Sequence, residues 1–222
     1  MADYVLIHGG NVSTDTWNNL AKRKDYPSGE QLGGKVWRNT LTALEKHGHR
    51  VFAPTLEDEN THSLTDHIEQ ICKLIILNNL TNLILVGHSY GGMVITGVAS
   101  KIPDRVGFLV YLDAVLPDPG QSLFDILTLS GFDPIQVTGS SSKAYLEKIQ
   151  FDPKILKRIS KIFIFCTKSQ FIPATNLARK KITNDNEGWR IVELPTSHIP
   201  QCTMPDKLNE LLLELGGINN LI

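Results

Sequence analysis

Six short runs of aliphatic and β-branched residues, each followed by a longer stretch of helical period, restrict the folding of this chain more than any other feature. They are Tyr4 to His8, Arg50 to Ala53, Asn82 to Gly87, Val106 to Leu112, Lys161 to Cys166 and Trp189 to Leu194. Most are continuously apolar, as strands are when both of their faces are buried. Alternation of such runs with helices gives an α/β architecture. The expected fold is doubly wound, a mostly parallel sheet of about six strands with helices on both faces. An all-β arrangement is excluded by what lies between the runs.

Trp37, Leu41 and Leu44 recur at helical spacing, and the segment stops at Gly48, a residue suited to the left-handed turn that ends a helix. Ile68, Ile71, Cys72 and Ile75 repeat the spacing after Ser63-Leu64-Thr65-Asp66, which reads as a capping box. Leu208, Leu211, Leu212 and Leu215 follow Pro205, a residue that fits a first helical turn because its missing N–H would have no partner there. Two stretches break the rhythm. Residues 11–34 are longer than a usual strand-to-helix loop and read as a flap near the site, and residues 114–157 read as a small cap. With 222 residues, a single domain carrying both excursions is expected.

The 22 basic and 23 acidic residues are scattered, so no basic stripe is available to follow a nucleic-acid backbone. The three cysteines, Cys72, Cys166 and Cys202, are too few and too far apart for a disulfide framework, and read as buried thiols in a reducing compartment. The N-terminus lacks a basic leader with a long apolar run, and no stretch is long and apolar enough to span a bilayer. A cytoplasmic protein without nucleic-acid or membrane partners is expected. No histidine spacing suits a metal. His47, His49, His62 and His67 read as solvated residues of polar helix faces or loops.

The chemistry is carried by Gly87-His88-Ser89-Tyr90-Gly91-Gly92, which follows a strand and precedes the helical segment Met93 to Ser100. A serine on a sharp strand-to-helix turn lifts its hydroxyl clear of the sheet, and the residues two before and two after it must be small. Gly87 and Gly91 meet that demand. On this motif and its setting the chain resembles the α/β-hydrolase superfamily, which implies a serine nucleophile at Ser89 and no metal or organic cofactor.

The resemblance carries further residues with it. His8-Gly9-Gly10 after the first strand is similar to the superfamily's oxyanion loop, which implies backbone N–H donors at Gly10 and Tyr90; His8 itself reads as a structural histidine pinning the loop. The superfamily's order of serine, acid and histidine implies His198 as the general base, the one histidine that follows Ser89 in the chain. Within the superfamily the chain resembles plant methylesterases, hydroxynitrile lyases and similar bacterial proteins over most of its length. In that branch the acid lies in a segment resembling Cys166-Thr167-Lys168-Ser169-Gln170-Phe171-Ile172-Pro173, and the matching residue here is Ser169.

Neighbouring parallel strands end only about 5 Å apart, so a carboxylate on the preceding strand could reach the same imidazole. Asp113 is placed for that, Asp118 and Asp125 less so, and Ser169 is expected to be dispensable. Phe124, Phe171, Ile172 and Ile199 flank the inferred site and are candidates for an apolar pocket. The expected substrate is a small or medium uncharged carboxylic ester. A hydroxynitrile-lyase reading is disfavoured by Ile199, where the plant lyases carry a lysine, and by Gly10, where they carry a threonine. A ligand-binding protein without turnover on the same fold is the reading from another class, disfavoured by an intact Ser89, His198 and Asp113.

Overall fold

Side chains alternate across a strand, and here both phases of the alternation are apolar. The computed structural model describes residues 1–10, 12–22, 24, 26–185 and 188–218. In chain order the strands are β1 (Asp3–Ile7), β2 (Arg50–Phe52), β3 (Leu83–His88), β4 (Val106–Leu112), β5 (Ser160–Cys166) and β6 (Trp189–Leu194). They form one parallel sheet in the order β2-β1-β3-β4-β5-β6. Val5, Ile7, Leu85, Leu109, Tyr111 and Phe163 enter one core layer, and Tyr4, Leu6, Val86, Val110, Leu112 and Ile164 the other. Helices cover both layers because either face left bare would expose a row of large apolar side chains.

The helices are α1 (Thr14–Ala21), α2 (Arg38–Lys46), α3 (Leu64–Leu77), α4 (Gly91–Lys101), α5 (Leu123–Leu129), α6 (Pro134–Thr138), α7 (Lys143–Leu146), α8 (Pro153–Lys157), α9 (Ile172–Asn184), α10 (Pro200–Thr203) and α11 (Pro205–Ile218). The capping box at the head of α3 forms as expected. The Ser63 hydroxyl accepts from Asp66 N–H at 3.2 Å while Asp66 Oδ2 accepts from Ser63 N–H at 2.7 Å, an arrangement worth about 1 kcal/mol. The expected strand at Asn82 starts one residue later, because Asn82 has φ +49°, a left-handed conformation incompatible with a ladder.

Register brings the carboxyl ends of the strands level: Ile7 pairs with Gly87, Gly87 with Tyr111 and Tyr111 with Phe163. His8, Ser89, Asp113, Ser169 and His198 all lie on chain leaving these ends, the side of an open α/β sheet where ligands bind. The described residues between 12 and 34 hold more order than a loop. An antiparallel bridge joins Ser13 to Gln31, Thr14 N–H donates to Glu30 O at 2.9 Å, and Leu32 N–H donates to Val12 O at 2.9 Å. Above this base α1 buries Trp17 in the core layer that holds Trp37.

Three neutral histidines fix the loops at this end. His8 Nε2 accepts from Leu56 N–H at 2.9 Å and its Nδ1–H donates to Gly9 O at 2.6 Å, the structural role expected of it. His67, expected to be solvated, is instead buried; its Nδ1 accepts from Tyr90 O–H at 2.9 Å and its Nε2–H donates to Glu57 O at 2.9 Å. The helical spacing that turns Ile68 and Ile71 inward carries His67 with them. His49 and His62 are half-buried rather than free, and His47 is exposed. Cys72 and Cys166 are buried as expected, whereas Cys202 is only half-buried. The third, His88, is buried and donates Nε2–H to His198 O at 2.8 Å.

Burial lowers the pKa of His8, His67 and His88 below the ordinary value of 6.5, most strongly for His88. The unfolded chain takes up protons near that value while the folded chain holds these rings neutral. Stability is therefore complete above about pH 6.5 and declines as the pH falls below it, by up to about 1.4 kcal/mol per pH unit for each ring. A thermal melt followed from pH 8 to pH 5 should show a flat Tm at the alkaline end and a steep fall below about pH 6.5; an unchanged Tm at pH 5 would contradict the assignment.

Candidate active site

The turn out of β3 is strained and held from several directions. Ser89 has φ +55°, which costs a non-glycine residue about 1–3 kcal/mol. Its N–H donates to Leu112 O at 3.3 Å, and its carbonyl accepts from Gly92 N–H and Val115 N–H, each at 3.1 Å. The turn presses α4 against β1 so closely that a Cβ at Gly91 would sit 2.9 Å from Ile7 O, and one at Gly87 2.5 Å from Gly91 O. Those two glycines are required by contact, as the motif predicts.

Asp113, the residue after β4, also has φ above zero, at +43°. Its N–H donates to Ile164 O at 2.8 Å, which turns the side chain toward the loop after β5. The carboxylate is buried, at 1% exposure, and so must find donors within the protein. Oδ2 accepts from His198 Nδ1 at 2.7 Å and from the Ser169 hydroxyl at 2.5 Å, and Oδ1 accepts from Cys166 N–H at 3.0 Å. Burial, reinforced by the Asp113 charge, pushes the Cys166 thiol far up, so it stays protonated.

Because Nδ1 donates to the carboxylate, the lone pair of His198 resides on Nε2. Gln170 Oε1 accepts from His198 N–H at 3.2 Å, and the Phe171 ring meets the imidazole edge-on with centroids 4.4 Å apart. Ser89 and His198 line one cavity. Among the described residues no hydrogen bond joins the Ser89 hydroxyl to the imidazole; such links are often loose until substrate tightens them. Asp118 and Asp125 stand apart, the first paired with Lys181 at 2.8 Å and the second capping α5. Ser169, expected to be dispensable, is in contact with the acid: its hydroxyl shares an oxygen of Asp113 with His198.

Gly9, Gly10 and Tyr90 line the same cavity. Among the described residues the backbone N–H groups of Gly10 and Tyr90 have no partner. A Cβ at Gly10 would lie 2.2 Å from the Tyr145 hydroxyl oxygen, so a side chain there would require the tip of that ring to move. Phe171 and Ile199 form wall, as expected. Phe124 does not; it packs against the core while Leu123 and Leu127, one step round α5, face the cavity. Ile172 is 38% exposed and outside the lining. Val12, Trp17, Leu20, Val137 and Tyr145 complete an apolar wall that the sequence did not single out. Apart from Asp113 and the histidines, no carboxylate, lysine, arginine or cysteine lines it among the described residues.

Among the described residues no helix is long and apolar enough to cross a membrane. The chain is 30% identical to the carbendazim hydrolyzing esterase of a Nocardioides species, over 97% of this chain and the whole of that protein. It is 26% identical to methylesterase 8 of Arabidopsis thaliana, over 85% of this chain and 87% of the other. Among solved structures, an extracellular alpha/beta-hydrolase from a Paenibacillus species superposes with a TM-score of 0.71 at 22% identity, covering 96% of this chain and 98% of that one, which shows the shared fold. Residues 4–155 match the model of the alpha/beta hydrolase family. With the strained serine turn, the six parallel strands and this match over most of its length, the chain belongs to the alpha/beta hydrolase family.

Proposed function

We propose that the protein is a carboxylic ester hydrolase that cleaves small or medium uncharged esters through an acyl-enzyme on Ser89. The observation that carries the reading is the 2.7 Å hydrogen bond from His198 Nδ1 to a buried Asp113 carboxylate, on the cavity that the Ser89 turn enters. It leaves Nε2 as the basic nitrogen on that cavity. Ester cleavage agrees with the names of the relatives, an esterase and a methylesterase.

In this reading the Ser89 hydroxyl adds to the ester carbonyl as His198 Nε2 takes its proton. Asp113 keeps the imidazole in the required tautomer and stabilises the imidazolium, remaining ionised itself. The N–H groups of Gly10 and Tyr90 are suited to the negative oxygen of the tetrahedral intermediate, because neither is committed elsewhere and the N-terminus of α4 favours charge there. The C–O bond to the alcohol then breaks, the alcohol leaving with the proton from His198. Water, deprotonated by the same nitrogen, hydrolyses the acyl-enzyme and frees Ser89. The apolar wall supports uncharged acyl and alcohol groups, since a charged one would lose hydration without a partner. We assign residues 114–157 as the cap and the segment bearing α1 as the second wall, both excursions of the one domain that these residues form.

Ser89→Ala and Asp113→Asn should each lower kcat for a p-nitrophenyl ester by about 10⁴-fold or more with folding intact. A fluorophosphonate should label the wild type at Ser89 and leave Ser89→Ala untouched; absence of both labelling and turnover in the wild type would favour a binding protein. Trp17→Ala should raise kcat/KM for long-chain esters over acetate by about tenfold, because it widens the α1 wall without touching the reacting groups. A chain-length profile identical to that of the wild type would remove α1 from the pocket.

A further inference from the structure

We propose that Ser169 is a positioning residue for ester cleavage, acting on His198 through Asp113. The inference rests on Asp113 being the acid of the reaction and adds a fourth side chain to it. A serine hydroxyl has one proton to give, and here its direction is fixed by its surroundings. Phe171 N–H, which can only donate, points at Ser169 Oγ from 3.0 Å. The proton of Ser169 is therefore directed to Asp113 Oδ2, 2.5 Å away, in a charge-assisted hydrogen bond between groups at 7% and 1% exposure.

Two consequences follow for the imidazole. The carboxylate is held at both oxygens, by Cys166 N–H on Oδ1 and by Ser169 on Oδ2, so it cannot rotate away from His198 Nδ1. The negative charge on Oδ2 is also divided between two donors, which tempers how strongly it favours the imidazolium. The same hydroxyl anchors Phe171, whose ring packs on His198 from the cavity side. One small side chain thus fixes both the acid beneath the base and the wall beside it.

The test compares wild type, Ser169→Ala and Ser169→Cys with Asp113→Asn as reference, following kcat, KM and the pH dependence of kcat/KM, with melting curves to establish folding. Ser169→Ala should lower kcat about tenfold with KM little changed. Its acidic limb should move to higher pH by up to about one unit, because Oδ2 then bears its charge on His198 alone. Ser169→Cys, a weaker donor, should fall between the two. Wild-type kcat and an unmoved acidic limb in folded Ser169→Ala, alongside an inactive Asp113→Asn, would overturn the role of Ser169 and leave the acid in place. A fully active Asp113→Asn would instead remove the acid assignment on which the inference stands.

Discussion

A carboxylate with almost no access to water must be surrounded by donors or it will not stay ionised, and the Asp113 side chain organises this end of the molecule around that requirement. Its donors come from three places: the last residue of β5, the loop that follows, and the loop after β6. Each loop must hold its shape for the charge to persist. The strand ends supply the frame, since Asp113 N–H is tied to β5 and Ser89 N–H to β4. His88 completes the enclosure by holding the carbonyl of His198, which couples the segment before the serine directly to the loop that bears the base.

Strain is concentrated where this frame meets the cavity. Ser89 and Asp113 both adopt left-handed backbone conformations at the ends of adjacent strands, β3 and β4. Each strained residue spends its backbone groups on neighbouring strand ends or on the segment after Asp113, so the distortion is shared by hydrogen bonds. The surrounding sheet, buried on both faces, is rigid enough to hold such conformations. The geometry of the Ser89 and Asp113 turns is thereby inherited from the core.

Much of this was legible in the residues. The six apolar runs gave strands within a residue of their true ends, because continuous burial leaves a strong signal, and Gly87 and Gly91 announced the tight turn around Ser89. Asp113 could be inferred because strand spacing is a fixed length. What remained hidden depended on contacts between distant segments. α1 has the sequence Thr-Asp-Thr-Trp-Asn-Asn-Leu-Ala, whose two large apolar residues are too few for a period to emerge, yet Trp17 and Leu20 are what it contributes to the cavity. His67 shares a helix face with Ile68 and Ile71, and the Tyr90 hydroxyl and Glu57 carbonyl opposite explain why an imidazole is tolerated there. Phe124 and Leu123 differ by one step around α5, a rotation that apolarity alone cannot assign. Ser169 was legible only as the residue standing at the branch's acid position, and its hydrogen bond to Asp113 emerges once that carboxylate is placed beside it.

The stitched base of α1 has an implication for how such a protein diversifies. The segment leaves and rejoins the fold at neighbouring points, closed by the Ser13–Gln31 bridge and two backbone hydrogen bonds, so it meets the rest of the fold through that base and through the side chains that α1 packs on the core. Thr16, Trp17 and Leu20 line the cavity, and among the described residues no hydrogen bond ties them to the groups that bind the Asp113 carboxylate. Selection for new substrates could therefore vary the residues that α1 turns to the cavity, letting the shape of the chamber drift through evolution while the chemistry beneath it is inherited unaltered.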